Sequence, residues 1–164
     1  MDNQSPLAYF ITWSVYGTHL QGHHKGWRKH GQPDSLAQPR LEAWHVSRLK
    51  HPILELDAEA RHAVKAIVER HCLHRTWRLW GVNPRSNHVH VVVTAESYSG
   101  SSVRDQLKAN ATTALRNHHV AFLNRPVWAQ GGDWDCINSE DALERAIHYV
   151  MEAQDLKWKD IDPN

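Results

Sequence analysis

Asn87-His88-Val89-His90-Val91-Val92-Val93 decides how the rest of the chain is read. Successive side chains of a strand point to opposite faces of its sheet. His88 and His90 therefore share one face, while Val89, Val91 and Val93 share the other, which an apolar layer can bury. Two imidazoles two residues apart on a strand form a rigid half-site for a divalent metal, because neutral histidine is the commonest metal ligand. The same spacing also suits two solvated or hydrogen-bonded histidines on a half-exposed strand. A further ligand and a tyrosine downstream favour the metal reading.

The strand's neighbours follow in order. Ala8–Tyr16 is rich in aromatic and β-branched residues and is expected to be a first strand, ended by Gly17. Asp57 caps an amphipathic helix over 58–72, with Ala60, Ala63, Val64, Ile67, Val68 and Cys72 at helical spacing. Thr76–Val82 is expected as a strand and Asn83–Ser86 as a turn, which makes a hairpin with the histidine strand. After a loop at 95–100, Ser101 or Ser102 is expected to cap a second helix with Val103, Leu107, Ala111, Ala114 and Leu115 on its buried stripe. Arg104, Lys108 and Arg116 lie off that stripe, available for phosphate or simply solvated. Val127–Ala129 and Trp134–Ile137 are expected as short edge strands around a Gly-Gly turn.

Ser139 caps the last helix, where Leu143, Ile147 and Val150 fall on one line. Gln154 continues that line, within about 20° of Leu143 at about 100° per residue, and Tyr149 lies about 120° away on the flank. An amide on a buried stripe needs a partner, either a backbone group or a metal. Together these elements predict an α+β fold: a ferredoxin-like antiparallel sheet with helices packed on one face.

The 164 residues are expected to form a single domain, 1–164, interrupted by an irregular basic excursion at about 18–56. A short helix is expected near Leu41–Leu49 within it. So long a connection is usually functional or mobile. Its Arg28, Lys29 and Trp27 favour nucleic-acid contact, although an inert insertion has the same composition. His23-His24 resembles a metal pair, but adjacent residues point apart.

Net charge is only +1, yet residues 19–51 sum to +4, 61–90 to +5 and 133–164 to −6. A basic front with an acidic tail suits a polyanionic ligand held on one surface. The chain carries 14 His, so most must be bystanders to any site that uses two or three. Cys72 and Cys136 lack metal or redox spacing and are expected as reduced thiols of a cytoplasmic protein. The polar Met1–Pro6 carries no signal-peptide pattern, and no apolar run is long enough to span a bilayer, so no membrane partner is expected.

With its hairpin and helices in this order, the chain resembles the IS200-like single-tyrosine HUH transposases, including those associated with repetitive extragenic palindromes. The resemblance rests on Val82-Asn83-Pro84-Arg85-Ser86-Asn87-His88-Val89-His90-Val91-Val92-Val93 and on Tyr149-Val150-Met151-Glu152-Ala153-Gln154, and runs from about Tyr9 to Gln154. Members commonly space the tyrosine and the helix amide four apart. Here Gln154 is five after Tyr149, the residue at four is Ala153, and Glu152 falls opposite the apolar stripe.

The resemblance implies a single-strand DNA endonuclease and strand transferase. His88, His90 and Gln154 would hold Mg²⁺ or Mn²⁺, and Tyr149 would form a 5′-phosphotyrosine intermediate. It also implies a hairpin-bearing single-stranded DNA substrate and a homodimer. Lys108, Arg104, Arg85, Arg28, Lys29 and Trp128 are the expected nucleic-acid contacts. Two other readings fit the same residues: a non-catalytic single-stranded nucleic-acid-binding module of ferredoxin-like fold, and a metal-dependent hydrolase that uses water.

Overall fold

The computed structural model describes residues 5–18, 33 and 35–152. The chain forms β1 (Ala8–Ser14), α1 (Pro39–Ser47), α2 (Ala58–His74), β2 (Arg78–Pro84), β3 (His88–Thr94), α3 (Gly100–His118), β4 (Asp133–Ile137) and α4 (Glu140–Glu152). One antiparallel sheet has the order β2-β3-β1-β4. This is the ferredoxin-like βαββαβ arrangement, and the α+β class is as expected.

β3 and β1 are central. Their pairing sets Thr12 opposite His90 and Ser14 opposite His88. On the far face, Val89, Val91 and Val93 join Tyr9, Ile11 and Trp13 under α2 and α3. The three valines are fully buried, which stabilises the fold by about 1.5–3 kcal/mol each relative to exposure. Asp57 caps α2 as expected, its carboxylate accepting from the Ala60 amide at 2.8 Å.

The expectation that all helices share one face needs correction. α4 lies on the histidine face, where Ala146 and Val150 pack with Ala8, Phe10, Val92 and Ile137. The reason is that this face is apolar beyond the histidines: Val92 and its cross-strand partner Phe10 also point there. An apolar patch of that size needs its own cover.

Three boundaries also differ from the sequence expectation. β2 runs through Asn83 to Pro84, so the turn is shorter. A proline is tolerated there because β2 is an edge strand. Ser99, not Ser101 or Ser102, caps α3, accepting from the Ser102 amide at 3.2 Å. Val127–Ala129 forms no strand, only a bridge between Val15 and Trp128.

α1 buries none of its residues, and Trp44 is half exposed. Cys72 and Cys136 are free thiols, and burial pushes the Cys72 thiol up to about 12. Among the described residues no helix is long and apolar enough to cross a membrane.

Gly100 opens α3 directly against the Trp134 indole, and a Cβ there would lie 2.6 Å from the ring. Gly100→Ala should therefore destabilise the protein by about 1–3 kcal/mol through overpacking, despite alanine's better helix propensity. Urea unfolding reads this as a lower midpoint; an unchanged or higher midpoint would mean that α3 does not seat against Trp134.

Candidate active site

The site begins with the two imidazoles of β3. His88 and His90 have ring centroids 4.5 Å apart at 81°. His90 is only 6% exposed, whereas His88 is half-buried. Each ring is oriented through Nδ1. His88 Nδ1 lies 2.6 Å from Asn87 Oδ1, and His90 Nδ1 lies 2.9 Å from Thr12 Oγ1. An amide oxygen can only accept, so this contact is made by the His88 tautomer protonated on Nδ1. The Thr12 hydroxyl permits the same tautomer of His90. A partner on Nδ1 that leaves Nε2 as the metal-binding atom is the usual support of a metal-ligating histidine.

The third ring is Tyr149. Its centroid is 5.4 Å from that of His90 at 83°. Phe10 packs beside both, 5.5 Å from His90 and 5.8 Å from Tyr149. The structure thus brings Tyr149, His90 and His88 together, all from one chain.

It also corrects the orientation of the last helix. The buried line of α4 runs through Ala146 and Val150, with Ala142, Leu143, Ile147 and Tyr149 partly buried. Tyr149 stands about 60° from Ala146 at about 100° per residue, so it faces the sheet instead of lying on the flank. Ala146 is small enough for the helix to approach Phe10 and Val92. Beneath Val150 and Met151 lies Gly81, whose absent Cβ would sit 3.5 Å and 3.4 Å from them.

Glu152 is exposed and pairs with His148 at 3.3 Å, on the outer side as expected. Gln154, Arg28 and Lys29 lie outside the described residues, as do His23, His24 and Trp27. Among the described residues no group of three His, Cys, Asp or Glu could hold a metal. His88 and His90 are a pair.

Cross-strand register adds residues that the sequence reading did not single out. Asn83, His90, Thr12 and Asp133 are successive partners across all four strands and share one face. Thr12 and Asn87 orient the imidazoles. Asn83 donates from Nδ2 to the Val150 carbonyl at 2.9 Å. Only a β2 strand extended through Pro84 would have placed Asn83 beside His90.

The expected nucleic-acid contacts divide. Arg85 is exposed in the β2–β3 turn, and its amide donates to the His88 carbonyl at 2.7 Å. Trp128 is corrected: it is 9% exposed, packed edge-on against Trp13, and its indole N–H donates to the Lys108 carbonyl at 3.2 Å. Its faces belong to the core, because the apolar run around it closes the sheet's end instead of forming an edge strand.

Lys108 and Arg104 hold the loop before β4. Lys108 Nζ donates to the carbonyls of Ala129 at 2.9 Å and Gly131 at 2.6 Å, and Arg104 donates to that of Gly132 at 3.0 Å. Burial, with Arg104 nearby, holds the Lys108 ammonium below the ordinary lysine range. The loop fits tightly: a Cβ on Gly132 would lie 2.7 Å from the Thr12 carbonyl oxygen. These two cations thereby seat the start of β4 beside Thr12.

No family model matches the chain, and no curated protein matches it. Among solved structures, it is similar to the crystal structure of a candidate transposase from Deinococcus radiodurans R1, with a TM-score of 0.51 and 11% identity over 93% of this chain and 95% of that one. At that identity the likeness establishes a shared fold.

The Asn87 contact makes the His88 tautomer measurable. Long-range proton–nitrogen NMR spectra of the metal-free protein, recorded above the histidine titration range, should show His88 protonated on Nδ1. A proton on Nε2 would contradict the orienting bond.

Proposed function

We propose that the protein is a metal-dependent endonuclease and strand transferase of single-stranded DNA, transposase-like in activity, with Tyr149 as nucleophile. The observation that carries this reading is the convergence of the Tyr149 ring on the His88–His90 pair, 5.4 Å from His90. A shared fold with a candidate transposase along nearly the whole chain supports it.

The donor set fits a divalent ion. Nε2 of His88 and of His90 would bind Mg²⁺ or Mn²⁺, with Gln154 completing the set. When bound, the ion supplies Lewis-acid polarisation of the scissile phosphate and neutralises its developing charge.

Tyr149 supplies the nucleophile. Its phenolic oxygen forms a bond to phosphorus while the bond from phosphorus to the 3′ oxygen breaks. The phenol's proton passes to solvent, and the departing 3′ oxygen takes up a proton to become a free hydroxyl. The 5′-phosphotyrosine retains the phosphodiester's energy, so attack by a 3′-hydroxyl of another strand restores DNA and returns the tyrosine. A phenol with an ordinary pKa of about 10 is a poor nucleophile at neutral pH, so positive charge at the site is needed to ionise it. Phe10 and His90 hold the ring in place from two sides.

DNA would lie across the end of the sheet that carries His88. Arg85 is exposed there. The segment after α1 is tied to the same end, the Leu56 amide donating to the Ser86 carbonyl at 2.7 Å and the Lys50 amide to Tyr16 Oη at 3.0 Å. Trp44 on α1 is 49% exposed, with the Arg48 guanidinium 4.1 Å from its ring centroid. An exposed indole beside an arginine can stack an unpaired base, the role that burial removes from Trp128.

Wild type incubated with labelled, hairpin-bearing single-stranded DNA and Mn²⁺ should yield a cleaved strand and a covalent band on a denaturing gel. Tyr149→Phe should lose both while still binding the strand. His88→Ala, His90→Ala and EDTA should each reduce adduct formation at least about 100-fold. Cleavage without a covalent band would replace the tyrosine mechanism with water-dependent hydrolysis. Strand binding with no cleavage would leave a binding module.

A further inference from the structure

A side chain for which the proposed chemistry has no other use ties the tyrosine helix to the edge strand beside the histidines. Asn83 sits on edge strand β2, directly opposite His90 in the β2–β3 ladder, and therefore on the face that α4 covers. Its Nδ2 donates to the carbonyl of Val150, the residue after Tyr149, at 2.9 Å. Val150 lies in the last turn of the described helix and is fully buried. A directional side-chain donor on a helix carbonyl fixes that turn relative to the strand the donor comes from. Gly81, two residues earlier on the same strand, lets that turn come within contact distance.

We propose that Asn83 is a positioning residue for the nucleophile, which rests on the tyrosine reading given above. The chain of contacts is short. The backbone ladder fixes Asn83 relative to His90, the amide fixes the Val150 carbonyl, and the peptide link fixes Tyr149 next to it. Among the described residues, the apolar hold of α4 is Ala146 and Val150, with Leu143 and Ile147 partly buried, on Ala8, Phe10, Val92 and Ile137, a small patch beside the core under α2 and α3. Apolar packing is non-directional, so it tolerates a small rotation of α4 that would carry the phenol away from His90. A directional hydrogen bond beside the tyrosine does not. Displacement of a reacting group by about 1 Å can cost about 100-fold in rate.

Asn83→Asp keeps size and shape but sets an acceptor against the Val150 carbonyl; Asn83→Ala removes the contact. In single-turnover reactions with saturating hairpin strand and Mn²⁺, both variants should form the covalent adduct about 10- to 100-fold more slowly than wild type. The strand concentration for half-maximal rate should change by less than about twofold, since Asn83 is not placed on the DNA path. Hydrogen exchange should show lost protection confined to the turn of α4 around Val150, with α2 and α3 unchanged, which demonstrates that the variants fold.

Faster exchange in that turn with an unchanged adduct rate would make Asn83 merely structural and overturn the proposal. So would an unchanged exchange pattern, or a loss expressed only in strand affinity. If wild type forms no adduct, the tyrosine reading itself fails and the positioning role falls with it. The exchange data would then still report whether the Asn83 contact exists.

Discussion

β3 is hydrogen-bonded along both edges, to β2 and to β1, and its register on each side sets what every other element can do. A slip of one residue would exchange His88 and His90 for Val89 and Val91, burying imidazoles under α2 and α3 and exposing valines. Four fully buried valines oppose that slip: Val89, Val91 and Val93 on one face, and Val92 on the other. The ladder that makes the core therefore also aims the imidazoles. It places Thr12 and Asn83 on either side of His90, one orienting the ring and the other holding the helix that carries Tyr149.

Much of this was legible in the sequence because period-two alternation in 88–93 is unambiguous and two of the helices, α2 and α4, carry strong caps. Asp57 and Ser139 were readable as caps, and both hold the expected amides. The fold's order of elements follows directly. What escaped were relations between distant residues. The packing side of α4 could not be read from Leu143, Ile147 and Val150 alone, because Ala146 counts as apolar only once Phe10 and Val92 are known to lie opposite. The same rotation moves Tyr149 from the flank to the sheet. Asn83 read as a turn residue because Pro84 follows it, and only the edge position of β2 makes that proline compatible with a strand.

Charge was the least informative signal. Arg104 and Lys108 look like phosphate ligands in a list of cations, yet their donors meet the carbonyls of Ala129, Gly131 and Gly132 and, from Arg104, the Asp105 carboxylate. Trp128 looks like a stacking platform and is part of the core. Their shared task is local: they seat the loop that delivers β4 and place Asp133 opposite Thr12. Exposure, which composition cannot report, sets Arg85 and the half-exposed Trp44, with Arg48 beside it, apart from these engaged groups.

The central claim is that the phenol of Tyr149 becomes linked to a 5′ phosphate beside the His88–His90 pair. The most direct measurement is peptide mapping by mass spectrometry of the protein–DNA adduct after trypsin and nuclease digestion. The account predicts a nucleotide-phosphate mass on the peptide running from Ala146 to Lys157, carried by Tyr149. A modified peptide containing Tyr9, Tyr16 or Tyr98 instead, or cleaved DNA with no modified peptide, would contradict it.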